Sequence, residues 1–294
     1  MKVGFIGLGI MGKPMAKHII KAGYSLNVYN RSQASIEELA SLGAHSLLSP
    51  KEVAEQSDVV ITMLPDSPQV QEVITGFNGV ADGISAGKIV VDMSSIDPGT
   101  ARSTAEVIAR KGGSMLDAPV SGGEIGAIEG KLSIMVGGDA AVFQQALPLL
   151  QTMGKSVTLV GEIGAGNTVK LMNQMIVAVN LAAVSEAFAF GRKAGVDLET
   201  AYQAIKGGLA GSRVMDTKKD NMISESFQPG FRIDLHRKDL NNALRMGYDT
   251  GASLQLTELM AEQLNALSRE GYGSEDHSAL YRWYARLGIE TVAD

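Results

Sequence analysis

The sequence predicts an α/β domain followed by an all-helical one, and three observations carry that expectation. A strand, a glycine loop, a helix and a second strand fill about the first thirty residues. Strand-like apolar runs then alternate with helical patterns as far as Leu159, the order that builds a parallel sheet. Past that point no strand-like run appears. A segment rich in Ala, Leu, Met and Val takes over, with no Gly or Pro from Asn167 to Phe190. The 294 residues leave room for two cores.

Lys2 to Ile6 reads as a strand, and Gly7-Leu8-Gly9-Ile10-Met11-Gly12 follows it. A helical pattern through Met15, Ala16, Ile19 and Ile20 then leads to a strand at Ser25 to Tyr29. This is the setting a dinucleotide fingerprint requires. Gly7 permits the tight turn, Gly9 lets a pyrophosphate approach the main chain, and Gly12 lets the helix sit close on the sheet. The second strand ends in Asn30-Arg31-Ser32. A site built for NAD usually places a carboxylate there; a neutral amide, a guanidinium and a hydroxyl suit a 2′-phosphate instead. NADP is therefore the expected cofactor, with NAD possible.

The alternation continues with a helix at Pro50 to Gln56, a strand at Val59 to Met63 and a helix at Pro68 to Ile74. Strands at Lys88 to Asp92 and Ser114 to Asp117 flank a helix at Pro98 to Lys111. A glycine-rich loop, a strand at Leu132 to Val136, a helix at Ala141 to Leu150 and a strand at Ser156 to Leu159 complete the first domain. Strand carboxyl ends are where an open parallel sheet holds its ligand. Met63, Leu64 and Pro65 at one such end, and Ser94 and Ser95 at another, are thus candidate cofactor contacts. A serine in such a place also fits a plain helix cap.

The long helix of the second half, from about Gly164 to Gly195, would span some 40 Å over roughly 27 residues. It is apolar on nearly every face, so burial on nearly every face is expected. Its length also fits a membrane span, but Asn173, Gln174, Asn180, Ser185 and Glu186 interrupt it. Lys170 is out of place one turn into such a helix, where it either snorkels to water or does chemistry. Helices are expected at Leu198 to Lys206, Ser212 to Ile223, Ile233 to Tyr248, Gln255 to Arg269 and Glu275 to Leu287. The domains are read as residues 1–163 and 164–294, with the active site in a cleft between them.

Composition excludes several functions. Net charge is −6, which argues against nucleic acid as the main partner. The chain has no cysteine, so thiolate metal sites, disulfides and thiol nucleophiles are ruled out. Its histidines, at 18, 45, 236 and 277, show no metal-ligand spacing, and no metal is expected. The chain enters its first strand with no basic, apolar leader, so a cytoplasmic protein with no membrane partner is expected. The apolar helical half suggests a homodimer or homotetramer.

Asp117-Ala118-Pro119-Val120-Ser121-Gly122-Gly123 offers a hydroxyl and bare main-chain amides, a cradle for a carboxylate or an ordinary glycine turn. Lys170, Asn173 and Gln174 set one ammonium and two amides on adjacent turns. Phe231 to Leu240 adds a basic cluster around Lys238. The glycine fingerprint, DAPVSGG at 117–123, GAGNTVK at 164–170 and Lys238-Asp239-Leu240 occur in this order and spacing. With them the chain resembles the β-hydroxyacid dehydrogenases over essentially its whole length, a family that includes 3-hydroxyisobutyrate dehydrogenase and is related to 6-phosphogluconate dehydrogenase. GGLAGS at 207–212, FRIDLHRKDL at 231–240 and DHSAL at 276–280 resemble the branch that reduces 2-hydroxy-3-oxopropionate to D-glycerate; the alternatives are a sister enzyme acting on 3-hydroxyisobutyrate, glyoxylate or succinic semialdehyde, and an NADP-binding sensor or scaffold without turnover.

That resemblance implies Lys170 as the catalytic lysine and Ser121, Gly122 and Gly123 as the substrate-carboxylate loop. It implies that Lys238, with Phe231, lines the cofactor and substrate site, and that Ser95 touches the cofactor. Many relatives place an asparagine four residues after the lysine. Gln174 stands there in this chain and Asn173 precedes it, so either amide could meet a small semialdehyde or hydroxy-acid substrate. An ordinary lysine is protonated at pH 7, the state a general acid needs in the reducing direction.

Overall fold

The computed structural model describes residues 1–286. Its first part runs β1 (Lys2–Ile6), α1 (Gly12–Lys21), β2 (Ser25–Tyr29), α2 (Gln33–Ser41), β3 (His45–Ser46), α3 (Pro50–Gln56) and β4 (Val59–Thr62). It continues with α4 (Ser67–Thr75), α5 (Val80–Gly83), β5 (Ile89–Asp92), α6 (Pro98–Arg110), β6 (Ser114–Asp117), β7 (Val120–Ser121) and α7 (Gly123–Ile128). Then come β8 (Leu132–Gly137), α8 (Ala140–Leu150) and β9 (Gly154–Gly161). The strands line up in the order β3-β2-β1-β4-β5-β6-β8-β7, with β9 paired to β8. From β3 to β6 every pairing is parallel. β8 runs antiparallel to β6 and β7, and parallel to β9.

Two cores follow from the two-residue period of a strand. Val3, Phe5, Val59, Ile61, Ile89, Val91 and Leu116 point to one face, where Met15 and Ile19 of α1 and Phe143 and Leu149 of α8 cover them. Ile6, Val60, Val90 and Met115 point to the other, against Val53 of α3, Ile74 of α4 and Ile108 of α6. A parallel sheet clothed on both faces is the expected outcome for such continuous apolar strands. The order reverses at β1, which sits between β2 and β4, and this opens a crevice at the strand carboxyl ends.

The second part begins with α9 (Ala165–Lys193), followed by α10 (Leu198–Ile205), α11 (Arg213–Ser224), α12 (Ile233–Thr250) and α13 (Gln255–Leu267). A π turn at Ser268–Tyr272, a 3₁₀ turn at His277–Leu280 and α14 (Tyr281–Arg286) end the described chain. By internal packing the chain divides at Lys170 and Leu171, so the first turns of α9 belong to the first unit. The core of the second unit joins Leu181, Val184 and Phe188 of α9 to Met215, Met222, Leu240, Leu264 and Tyr281. Although α9 is long and apolar enough to cross a membrane, this buried face makes it a core helix.

Several sequence expectations need correction. α9 is not buried all round: Met172, Ile176 and Phe190 are 54%, 61% and 73% exposed. Composition gives the apolarity of a helix but not what covers each face. The helix expected from Glu275 is broken, because Asp276 caps a 3₁₀ turn by accepting from the Ser278 N–H, and α14 starts only at Tyr281. Leu287, its expected end, lies outside the described residues. The glycine-rich stretch after Ser121 is not all loop: Gly123 opens α7. The sequence pattern does not predict the short elements α2, β3, α5 and β7. They lie in polar or turn-rich stretches where apolar periodicity is too brief to register.

Candidate active site

The glycine loop has the form the sequence promised. Gly7 lies at φ +96°, where a side chain would be strained, and its N–H donates to the Tyr29 carbonyl at the end of β2. A Cβ on Gly12 would fall 2.0 Å from the Gly7 carbonyl oxygen, so only glycine lets α1 start this close to β1. A Cβ on Gly9 would meet nothing within 4 Å, which leaves room for a ligand to approach. Neither a side-chain cap nor an acidic residue occupies the first turn of α1. Its N–H groups and positive dipole end therefore suit a pyrophosphate. Leu8, Ile10 and Met11 complete the loop, with Leu8 buried and Ile10 exposed.

Asn30 ties this loop together. Its Oδ1 accepts from the Leu8 N–H at 3.1 Å and its Nδ2 donates to the Ser32 carbonyl at 3.1 Å. Arg31 and Ser32 are exposed beside it, and the Ser32 hydroxyl makes no capping bond to α2. This turn fits a 2′-phosphate, with the guanidinium and hydroxyl outside and the amide holding the loop.

At the next carboxyl ends, Met63 and Leu64 are half-buried and Pro65 is exposed. Ser94 proves structural. It is fully buried, its hydroxyl donates to Asp92 Oδ1 at 2.5 Å, and its oxygen accepts from the Leu64 N–H at 2.9 Å. Asp92 demands such donors because burial pushes its carboxyl up to about 6, against the hydrogen bonds from Ser94 and Thr62. Ser95, one residue on, is half-buried.

Asp117 is the residue that sequence reasoning passes over. From the end of β6 its carboxylate accepts from the Gly164 N–H and the Asn167 N–H, both at 2.7 Å, and from Asn167 Nδ2 at 3.3 Å. Asn167 in turn accepts from the Ile96 N–H at 2.9 Å. A carboxylate at a helix start satisfies orphan donors and complements the dipole. Gly166 makes this approach possible, since a Cβ there would lie 2.5 Å from the Asp117 and Met135 carbonyl oxygens. Burial raises the Asp117 carboxyl, opposed by the hydrogen bonds from Asn167 and Gly164. A signal is present all the same: DAPVSGG opens with an Asp at a strand end, and GAGN follows a strand with two close-packing glycines.

Lys170 comes three residues after this anchor, on the same helix, and is 7% exposed. Ser121 is half-buried at the end of β7, while Gly122 and Gly123, at φ +142° and +62°, are exposed at the start of α7.

In the second unit the other assigned residues form a connected polar chain. Asn173 Nδ2 donates to Gln174 Oε1 at 2.8 Å, and Gln174 Nε2 donates to Asp239 Oδ2 at 2.6 Å. Lys238 Nζ stands 3.2 Å from the other Asp239 oxygen. Gln174 is buried and Asn173 half-buried, so Asn173 is the more accessible amide. Phe231 is half-buried and packs on His236 and His277. A concave surface of about 630 Å³ lies elsewhere, lined by Arg237, Asn241, Glu258, Glu262 and Arg269 among others, and includes none of the assigned residues.

A fingerprinted parallel sheet followed by a helical unit is the arrangement of a dinucleotide-binding protein. Residues 2–161 match the family described as the NAD binding domain of 6-phosphogluconate dehydrogenase. Residues 164–284 match the NAD-binding family of NADP-dependent 3-hydroxyisobutyrate dehydrogenase. The chain is 49% identical over 280 residues to 2-hydroxy-3-oxopropionate reductase of Escherichia coli, covering 95% of this chain and 96% of that one. It is 38% identical to 2-(hydroxymethyl)glutarate dehydrogenase of Eubacterium barkeri, covering 98% and 97%. Among solved structures, 3-hydroxyisobutyrate dehydrogenase of Mycobacterium tuberculosis with L-serine superposes with a TM-score of 0.89 at 30% identity, over 96% and 98%. The chain belongs to the β-hydroxyacid dehydrogenase family and is an NAD(P)-dependent oxidoreductase.

Proposed function

We propose that this enzyme reduces 2-hydroxy-3-oxopropionate (tartronate semialdehyde) to D-glycerate in the cytoplasm and prefers NADPH to NADH. The bound cofactor supplies the hydride. Gly7 to Gly12 would hold its pyrophosphate, and Arg31 and Ser32 its 2′-phosphate. Met63, Leu64, Pro65, Ser95, Phe231 and Lys238 complete its site.

One observation carries the chemistry: Lys170 is nearly buried on a helix whose start is fixed by Asp117 through three hydrogen bonds. From that anchored helix start its ammonium would give a proton to the carbonyl oxygen as negative charge develops there. Ser121, Gly122 and Gly123 bind the substrate carboxylate. Asn173, Gln174 and Lys238 hold its oxygen groups, with Asn173 as the direct contact and Gln174 as its support. The 49% identity with the Escherichia coli reductase supports the substrate.

The enzyme is also proposed to act as a homo-oligomer, supported by the exposed apolar row on α9. The test of function is NADPH and NADH oxidation with tartronate semialdehyde, methylmalonate semialdehyde, succinic semialdehyde and glyoxylate. Tartronate semialdehyde with NADPH should give the highest kcat/KM by about tenfold or more, the scale on which a few pocket groups discriminate. A higher value for another aldehyde refutes the substrate, and an equal or higher value with NADH refutes the cofactor preference.

A further inference from the structure

Two buried histidines have no part in the chemistry described above. His236 on α12 and His277 in the 3₁₀ turn are 0% and 5% exposed, and their Nδ1 atoms lie 3.0 Å apart. At that separation one hydrogen must lie between them, since two lone pairs or two N–H groups would repel. The other ring nitrogen of His236 fixes the tautomer. Its Nε2 is 3.0 Å from the main-chain carbonyl oxygen of Gln174, which only accepts, so Nε2 carries a hydrogen. A neutral His236 is then the Nε2–H form, and its Nδ1 accepts from the Nδ1–H of His277.

The pair is itself held in place. Phe231 packs on both rings, with centroids 5.6 Å from His236 and 5.3 Å from His277. Asp276, next to His277, accepts from Lys218 Nζ at 2.9 and 2.8 Å and from the Gly230 and Phe231 N–H groups at 2.9 and 3.0 Å. Burial alone would raise the Asp276 carboxyl, but the charges of His277 and Lys218 and its hydrogen bonds hold it well below the usual carboxylate range. The chain of contacts therefore runs from His277, next in sequence to this fixed anion, through His236 to one turn of α9.

That turn is gripped twice from α12. His236 takes the main-chain oxygen of Gln174, and Asp239, three residues later on the same face, takes its side-chain Nε2 at 2.6 Å. The Oε1 of Gln174 is left to accept from Asn173 at 2.8 Å. Every polar atom of the Gln174 amide is thus directed, and Asn173 is oriented with it.

We propose that His236 and His277 are positioning residues, which set the Asn173–Gln174 amides for the substrate through the Gln174 main chain. This rests on the reading of those amides as substrate contacts. Their loss should act on substrate binding and leave proton donation at Lys170 and the cofactor loop alone.

The test is steady-state kinetics at saturating NADPH on His236→Leu, His277→Leu, His236→Gln and His277→Asn. The leucines remove the donors at similar bulk, whereas the amides keep an N–H near the original place. Either leucine should raise the KM for tartronate semialdehyde about three- to tenfold, the worth of one hydrogen bond, with kcat within about twofold. The amide variants should recover most of that loss. Folded leucine variants with wild-type KM, or amide variants as impaired as the leucines, would overturn the proposal.

Imidazole ¹⁵N NMR of the wild-type protein decides the matter if the variants do not fold. His236 should carry its hydrogen on Nε2, and a neutral Nδ1–H form there refutes the pair. That measurement needs no substrate, so an enzyme inactive on tartronate semialdehyde would sink the substrate reading while the histidine pair is still judged by its tautomers.

Discussion

At the scale of single residues the proposed reaction turns on Lys170. Lys170→Ala should lower kcat by a factor of about 10² to 10⁴, the usual contribution of a general acid. NADPH binding, measured by fluorescence titration, should persist because the glycine loop and Arg31 lie on other segments. Lys170→Arg should not restore the rate, since a guanidinium keeps the charge but gives up a proton far less readily. Turnover within a few-fold of wild type in both variants would sink the assignment. Lys170 is conspicuous in the sequence as an ammonium in an apolar run, and the structure buries it. Asp117, Asn167 and Asp239 were not, because an acid or amide in a polar motif looks ordinary until its partners, 47 to 65 residues away, are known. Ser94 misled for the same reason. Its hydroxyl seemed available for a cofactor, but it is fully buried and spent on Asp92 and Leu64.

At the scale of elements, the strands of the first unit and the helices of the second followed from apolar period and turn residues, and their boundaries shifted by only a few residues. The glycine loop could be read in advance because its requirement is purely steric, as the 2.0 Å approach at Gly12 shows. What sequence could not supply was the load each strand end bears. Asp92 at the end of β5 pairs in register with Asp117 at the end of β6, which places two buried carboxylates side by side. Burial raises Asp92 to about 6, so the folded state binds its proton more tightly than the unfolded chain, where the value is near 3.8. Its contribution to stability is therefore fully present below pH 3.8 and lost as pH rises through 6. The loss is of order 3 kcal/mol, since each tenfold gain in proton affinity is worth about 1.4 kcal/mol. Asp92→Asn carries no charge and should remove this slope. Urea melts at pH 4 to 7 should show wild type gaining stability relative to the variant as pH falls; a constant difference would contradict the raised carboxyl.

For the whole molecule, the question left by the sequence was what covers α9. Apolarity all round implied burial all round, but among the described residues one face stays uncovered. Met172, Ile176, Ala183, Ala187 and Phe190 follow one another at helical spacing and are all exposed. The row has a polarity of its own: bulky side chains in its first half, alanines in its second until Phe190. Two such helices packed antiparallel about a two-fold axis near Val179 and Asn180 would set Met172 against Ala187 of the other copy, and Ile176 against Ala183. Large against small is how facing helices interdigitate, and a two-fold axis makes each contact occur twice. Full burial of a side chain such as Ile is worth about 1.5–3 kcal/mol, so doubling matters. Ile176→Glu should therefore shift sedimentation equilibrium at micromolar concentration to the monomer, through two desolvated carboxylates facing alanine. Adding Ala183→Lys to the same chain should restore the assembly. Positions 176 and 183 are two turns apart on one helix and cannot pair within a chain, whereas across the axis the two new charges would meet. A wild-type chain that sediments as a monomer, or an Ile176→Glu variant that assembles normally, would rule out this face as the contact. Failure of the second change to rescue the first would rule out the antiparallel register.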